Sequence, residues 1–142
     1  MPGAQSTLIF EDVSQGAEDP FAALNAILRA YNNGNVGPAN HIPLWLFARD
    51  AEGRVQGGLR GGTYWHWCAI EVLAVAEPYR RQGIGTQLLA RAEAVARERG
   101  CAGIYLDTVS FQAPTFYKRH GYSEFGRIEG FPPGHTRHWL MK

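Results

Sequence analysis

The sequence predicts one α/β (α+β) domain over residues 1–142, with a mixed, mostly antiparallel central sheet of about six to seven strands flanked by helices. Strand-like segments recur along the chain with helical segments between them, and a strand–helix–strand unit occupies the middle. A length of 142 residues with 45% hydrophobic residues suffices for one buried core. No repeat of fixed period indicates a solenoid.

The first predicted elements are a short strand over Thr7–Phe10 and a helix. Asp19-Pro20 supplies a cap and a first-turn proline for this helix, which is expected to run to about Asn32. Asn33-Gly34-Asn35 is expected to end it. The apolar residues of the helix recur at helical spacing, and they are Phe21, Leu24, Ile27, Leu28 and Tyr31.

Three strands are predicted next. A hairpin turn at Asp50–Gly53 separates two strand-like segments, Ile42–Arg49 and Arg54–Leu59, which should pair antiparallel. The fourth strand of the predicted sheet, Trp65–Val75, is long, apolar and rich in aromatic and branched residues, which is typical of a buried central strand. Its single charged residue is Glu71, and a carboxylate is out of place there.

The best-defined helix begins near Ile84 and carries an apolar stripe at 3.6-residue spacing. Gly100 lies where a helix end favours a left-handed residue. The remaining predicted elements are a strand, a short helix and two strands, over residues 102–108, 113–120, 122–128 and 135–141.

Composition excludes several classes of function. Lys and Arg number 14 against 13 Asp and Glu, and no basic run argues for a nucleic-acid partner. No apolar stretch approaches the ~18 residues that span a membrane, so a soluble, cytoplasmic protein is expected. Cys68 and Cys101 lack the spacing of a zinc or redox pair and are predicted to be reduced core residues. The histidines show no metal-binding spacing, so no metal is predicted.

The junction between the central strand and the best-defined helix has the features of an anion site. Backbone N–H groups in the first turn of a helix lack carbonyl partners, and the helix dipole adds positive charge there. Gly83 and Gly85 allow close approach to the main chain, and Arg80 and Arg81 add charge nearby. The segment is neither a Walker sequence nor a dinucleotide fingerprint, whose third glycine would fall at Leu88.

At these residues the sequence resembles the GNAT superfamily of N-acetyltransferases. The family's loop, Arg or Gln followed by two residues, Gly, one residue and Gly or Ala, is met at Arg80, Gly83 and Gly85. A second motif of the family is found downstream, at Ala113, Phe116, Tyr117, Gly121 and Tyr122. The resemblance is specific over about residues 67 to 126. It departs from the family at Ser110, where many members have an asparagine.

The resemblance implies a coenzyme and a site. Acetyl-coenzyme A would be the co-substrate, with its pantetheine arm on the splayed end of a parallel strand pair. The predicted coenzyme contacts are Leu73, Ala74, Val75, Arg80, Arg81, Gln82, Gly83, Ile84, Gly85, Thr86, Ser110 and Phe116. Glu71 would remove a proton from the attacking amine, directly or through water, because an ammonium has no free electron pair. Tyr117 would donate to the departing thiolate.

Alternatives remain open at this point. Glu71 could be a buried carboxylate paired with an arginine or could face solvent on one side of the sheet, and Tyr117 could pack its ring on the sheet. Trp45 and the aromatic segment Tyr64–Trp67 could line an acceptor pocket or belong to the core. The expected acceptor is a small molecule with a primary amine. The chain could instead be a non-catalytic coenzyme A or phosphate sensor, or an enzyme acting on a protein lysine or N-terminus. A homodimer would cover sheet edges at the C-terminal strands.

Overall fold

The computed structural model describes Gly3 and residues 6–142, and the chain divides after Pro38 into two compact units. In the N-terminal unit, the prediction of a strand over Thr7–Phe10 is wrong, because these residues have no regular structure and are exposed. A short apolar run supplies strand propensity but not the neighbouring strand that its backbone groups need.

The helix of this unit, α1, spans Phe21–Val36. The carboxylate of Asp19 accepts a hydrogen bond of 2.9 Å from the backbone N–H of Phe21, as the predicted cap requires. The predicted end at Asn33-Gly34-Asn35 is wrong, since the helix continues through this segment. The side-chain amide of Asn35 donates to the carbonyl of Tyr31 at 2.8 Å.

The second unit, residues 39–142, contains a six-stranded sheet in the order β1-β2-β3-β4-β6-β5. Its strands are β1 (Ile42–Arg49), β2 (Val55–Tyr64), β3 (Trp67–Val75), β4 (Gly103–Val109), β5 (Ser123–Glu129) and β6 (Thr136–Met141). β3 and β4 pair parallel, and the other four pairings are antiparallel. This confirms the predicted mixed, mostly antiparallel sheet.

Two helices follow the strands β3 and β4. The longer one, α2, spans Ile84–Glu98, and the shorter one, α3, spans Pro114–Arg119. α2 buries its predicted apolar stripe against the sheet, where each fully buried leucine contributes about 1.5–3 kcal/mol of transfer free energy. Gly100 ends it in the left-handed region, with φ of 73°. In the described part of the chain, no helix is long and apolar enough to cross a membrane.

Both cysteines belong to this unit and neither forms a disulfide. Cys68 has no exposed surface, and burial raises the pKa of its thiol to about 11. Cys101 is half-buried, and burial raises its pKa as well. The cysteines are therefore packing residues with protonated thiols, as predicted.

The parallel ladder between β3 and β4 is short, and this shapes the sheet. It runs from Trp67 paired with Gly103 to Ile70 paired with Leu106. Beyond that pair, β3 continues to Val75 and β4 to Val109 without pairing to each other. The two strands therefore separate towards their carboxyl ends and leave an opening beside the start of α2 and α3.

Candidate active site

The first turn of α2 offers unpaired backbone donors. The N–H groups of residues 83–86 donate to no carbonyl among the described residues, and the first bond of the helix is from Gln87 to the Gly83 carbonyl at 3.0 Å. Gly83 has φ of 77° and Arg81 has φ of 62°, so the loop makes two left-handed turns before the helix. Such turns direct successive N–H groups into one concave surface, which binds anions.

The side chains of the predicted loop are partly engaged by the protein itself. Nε of Arg80 donates to the carbonyl of Val75 at 2.9 Å, and the side-chain amide of Gln82 donates to the carbonyl of Pro78 at 3.1 Å. These bonds hold the loop against the end of β3. An added Cβ at Gly85 would lie 3.4 Å from the ring of Phe116, so α2 begins close to α3.

Along the outer edge of β3, alternate residues direct their backbone groups away from β2, and one of these groups, the carbonyl of Val75, accepts the bond from Arg80. The backbone N–H of Ala76, the residue after β3, donates to the carbonyl of Gln56 on β2 at 2.7 Å. Because backbone groups alternate in direction along a strand, those of Ala74 also face β2, whereas those of Leu73 and Val75 face the opening. Of these three predicted coenzyme contacts, Ala74 thus directs its backbone away from the opening.

Glu71 lies at a β-bulge in β3. Arg60 pairs with Val72 and Gly61 pairs with Ile70, so Glu71 is the extra residue and has no partner on β2. Gly61 makes this possible, because an added Cβ there would lie 2.0 Å from the carbonyl oxygen of Ala69. Glu71 is exposed, so it faces solvent, which is one of the two structural alternatives for this residue, and is not a buried carboxylate.

A pair of tyrosines lies near Glu71. The hydroxyl groups of Tyr64 and Tyr105 are hydrogen-bonded to each other, which joins β2 to β4 across β3. Burial, the Tyr64 hydroxyl and, to a smaller extent, the negative charge of Glu71 raise the pKa of Tyr105 to about 12. The Glu71 carboxylate is therefore close enough to Tyr105 to influence its hydroxyl.

Tyr117 lies in α3 and is 6% exposed. Burial, followed by the negative charge of Asp107, raises the pKa of its hydroxyl to about 12. Its ring packs edge-on against Phe116 and Tyr122, with ring centroids 5.2 and 5.8 Å away. Its hydroxyl forms no hydrogen bond with any residue that the structure describes, so it is free to donate to a ligand.

Ser110 is engaged in the fold. Its hydroxyl accepts the backbone N–H of Thr136 at 3.1 Å and lies 3.3 Å from Nδ1 of His135. Its own N–H donates to the Thr136 carbonyl at 2.9 Å. In place of the asparagine expected from the family motif, the serine therefore connects the end of β4 to the start of β6.

The groove over the first three strands is not lined by Trp45, Tyr64, Trp65 or Trp67, the aromatic residues that could have formed an acceptor pocket. The guanidinium of Arg60 lies over the ring of Trp45, 4.8 Å from its centroid. A groove over β1–β3 is lined by other side chains, among them Phe47, Val72 and Ala74. Within the described ranges, no group of three or more His, Cys, Asp or Glu side chains could hold a metal ion.

Sequence reasoning missed one charged pair near the opening. Asp107 on β4 accepts a hydrogen bond from Nε of Arg137 on β6, with 2.6 Å between Nε and Oδ2. The guanidinium of Arg137 also lies 4.6 Å from the ring centroid of Phe131 and 5.9 Å from that of Trp139. The sequence indicates this pair only through a single aspartate in an apolar strand, because the partner of that aspartate lies 30 residues away in the chain.

Comparison with known proteins gives three consistent findings. The family model described as "Acetyltransferase (GNAT) family" matches residues 11–122. The chain is 41% identical to a blasticidin-S acetyltransferase of Streptomyces morookaense over 117 residues, which cover 81% of this chain and 86% of the relative.

Solved structures agree with the sequence relatives. An acetyltransferase from Bacillus cereus superposes with a TM-score of 0.82 at 35% identity, covering 93% of this chain and 96% of the other. A protein from Bacillus anthracis, solved in complex with acetyl coenzyme A, has a TM-score of 0.57 at 23% identity and covers 63% of this chain and 57% of the other. At that identity the likeness concerns the fold.

Proposed function

The chain belongs to the GNAT family of acetyltransferases, and from this we propose that it transfers the acetyl group of acetyl-coenzyme A to a primary amine of a small molecule. The observation that carries this proposal is the opening between β3 and β4. Three features support it: β3 and β4 separate there, the first turn of α2 has N–H groups without carbonyl partners, and the Tyr117 hydroxyl has no hydrogen-bond partner among the described residues.

The residues at this opening fit the coenzyme. A pyrophosphate would accept the N–H groups of residues 83–86, whose donors are otherwise unused within the described chain. The pantetheine arm would pair with Leu73 and Val75 as a neighbouring strand does. Arg80 keeps its guanidinium at the end of β3 through its bond to Val75, so it stabilises the loop as well as adding charge.

The coenzyme supplies an activated acetyl thioester, and the protein supplies the proton transfers. Glu71 accepts a proton from the acceptor's ammonium, directly or through water, which frees the electron pair of the nitrogen. That nitrogen forms a bond to the thioester carbonyl carbon and gives up its second proton to solvent, and the carbon–sulfur bond breaks with its electron pair on sulfur. Tyr117 donates a hydrogen bond to the sulfur as its negative charge develops.

The raised pKa of Tyr117 defines its contribution. A free thiol has a pKa of about 8.5, well below the value of about 12 that burial and Asp107 give the tyrosine. Complete proton transfer from tyrosine to thiolate is therefore unfavourable. We infer that Tyr117 stabilises the leaving thiolate by a hydrogen bond, and that the thiolate leaves as such or takes its proton from solvent.

A small-molecule acceptor is supported by the relative that is named for blasticidin S. The alternative acceptors are a protein lysine and a protein N-terminus. The near-neutral net charge of +1 gives no field that would attract a strongly basic peptide.

The test is a screen in which the consumption of acetyl-coenzyme A is measured through the loss of thioester absorbance. Blasticidin S, polyamines, amino acids, aminoglycosides and lysine-containing peptides serve as acceptors, and mass spectrometry identifies the acetylated product. We expect turnover with at least one small amine and none with the peptides. Binding of acetyl-coenzyme A without turnover on any amine would overturn the proposal and indicate a sensor.

A homodimer remains part of the proposal. β5 is the edge strand at the C-terminal side of the sheet, and an unpaired edge presents free backbone groups to a second chain. Sedimentation velocity should give a mass near twice 15.7 kDa if the two copies associate.

A further inference from the structure

Two carboxylates occupy equivalent positions on the two strands that flank the opening. The last pair of the parallel ladder is Ile70 with Leu106, and both of these side chains are buried. Glu71 and Asp107 are the next residues on β3 and β4. Because side chains alternate along a strand, Asp107 lies on the face opposite Leu106, and at the bulge of β3 Glu71 is exposed whereas Ile70 is buried.

Only one of the two carboxylate oxygens of Asp107 is bonded to Arg137. Oδ2 accepts the hydrogen bond from Nε of Arg137, whereas Oδ1 accepts none from any residue in the described ranges. Its side chain is 33% exposed, so solvent and small ligands reach it. A carboxylate can accept several hydrogen bonds, and this one therefore has unused capacity at the opening.

Arg137 fixes the direction of this carboxylate. Its guanidinium lies over the ring of Phe131 and near that of Trp139, and its side chain is only 33% exposed. A guanidinium stacked on rings loses little further freedom when it forms a hydrogen bond. Oδ2 of Asp107 is thus bonded to a partly buried partner, and Oδ1 is left available.

Asp107 is also electrostatically coupled to Tyr117. Its charge contributes, after burial, to the raised pKa of Tyr117, which we place at the thioester sulfur. Asp107 is therefore near the tyrosine that faces the coenzyme, while Glu71 lies across the opening at the equivalent position of β3.

We propose that Asp107 binds the ammonium group of the acceptor through its free oxygen and so places the amine nitrogen between Glu71 and the thioester. This inference rests on the proposed acetyl transfer. An ammonium has three N–H donors, so one can be given to Asp107 while another loses its proton to Glu71. The bond to Asp107 then keeps the electron pair of the nitrogen directed at the carbonyl carbon.

The test compares Asp107→Asn with Arg137→Gln. The probe is blasticidin S or, in its place, the amine with the highest turnover in the screen above. Asp107→Asn should raise the KM for this amine by about tenfold to a hundredfold, as loss of a charge-assisted hydrogen bond does, with the dissociation constant of acetyl-coenzyme A unchanged. Arg137→Gln keeps the carboxylate and removes only the side chain that positions it, so it should raise that KM clearly less than Asp107→Asn does.

A purely structural ion pair would give another pattern. Both variants would then lose the same pair, lower the melting temperature alike and change the KM alike, and this result would overturn the inference. Glu124→Gln is the matched control, because Glu124 is an ion-paired carboxylate on β5 that is bonded to Arg127 and His138. It should not change the KM. If wild-type protein binds acetyl-coenzyme A but acetylates no amine, the proposed function itself fails.

Discussion

Nε2 of His120 lies 3.2 Å from the hydroxyl of Thr86, and this contact joins the end of α3 to the first turn of α2. Nδ1 of the same ring lies 2.8 Å from the carbonyl oxygen of Phe116. A carbonyl only accepts, so Nδ1 carries the proton and Nε2 accepts a hydrogen bond from Thr86. The two helices that form the coenzyme side of the proposed site are thereby held together.

The first prediction concerns this hydrogen bond. His120→Ala and Thr86→Val should each lower the free energy of unfolding by about 0.5–1.5 kcal/mol. The double variant should lose less than the sum, because both substitutions remove the same bond. Urea titration measures the coupling. Thr115→Val, at an exposed threonine of α3, is the control, and its effect should add to that of His120→Ala. If the effects of Thr86→Val and His120→Ala were also additive, the hydrogen bond between these two residues would contribute nothing to stability.

The second prediction separates backbone conformation from charge in the anion loop. Gly83 has φ of 77°, which disfavours any side chain by about 1–2 kcal/mol, so Gly83→Val should displace the N–H groups and weaken acetyl-coenzyme A binding strongly. Arg81→Ala should weaken it far less, because its charge is exposed. Arg81→Gly should also raise the melting temperature, since φ at this position is 62°. Calorimetric titration gives both affinities, and equal small losses would place the anion elsewhere.

The third prediction is that Gly61 maintains the bulge that exposes Glu71. Gly61→Ala should destabilise the protein by about 3 kcal/mol or more, because the new methyl would collide with the Ala69 carbonyl. Gly126→Ala on β5 is the matched control: its added Cβ meets no atom within 4 Å, and the change should stay within about 0.5 kcal/mol. Similar melting temperatures for the two variants would contradict this role.

The fourth prediction tests Glu71 as the proton acceptor. Glu71→Gln should lower turnover most at neutral pH, where the acceptor amine is protonated, and less as the pH approaches the amine's pKa of about 10.4. Affinity for acetyl-coenzyme A should hardly change, because Glu71 lies before the segment that would bind the pantetheine arm. Full activity of the variant at every pH would leave Glu71 with a structural role only.

The fifth prediction concerns the hydroxyl of Tyr117. Tyr117→Phe keeps the ring and should lower kcat at least about tenfold, with coenzyme affinity intact. Because burial and Asp107 raise its pKa to about 12, Tyr117 remains protonated and should cause no loss of activity up to about pH 10. Tyr122→Phe is the control, since that hydroxyl donates to Glu93 at 3.0 Å and its loss should affect stability rather than kcat. Wild-type turnover by Tyr117→Phe, with chemistry rate-limiting, would disprove the assignment.

Much of the fold could be predicted from local pattern. The predicted bounds of the strand Ile42–Arg49 agree with the observed bounds. The helix that begins at Ile84 and the left-handed conformation of Gly100 can be predicted because spacing and residue chemistry act within a few residues. Thr7–Phe10 shows the limit of this reasoning, because strand formation requires a partner that composition does not specify. Gly34 shows another limit, since one glycine costs about 1 kcal/mol and does not by itself end a helix.

The site depends on contacts that a linear pattern does not contain. The bulge at Glu71 becomes visible only when the register against Gly61 is known. Asp107 gains its significance from the end of the parallel ladder and from Arg137, neither of which is apparent in the segment around it. Ser110 differs from the family motif, and its partners Thr136 and His135 come from the far end of the chain.

The two cysteines determine how turnover can be observed. Thiols react with disulfide reagents as thiolates, and the raised pKa values of Cys68 and Cys101 keep both protonated at neutral pH. Cys68 is also inaccessible. Coenzyme A leaves the proposed reaction as a free thiol, so a chromogenic disulfide reagent added during turnover should report the released coenzyme continuously. The half-buried Cys101 is then the one protein thiol that the reagent can reach, and a reaction without acceptor amine measures its contribution.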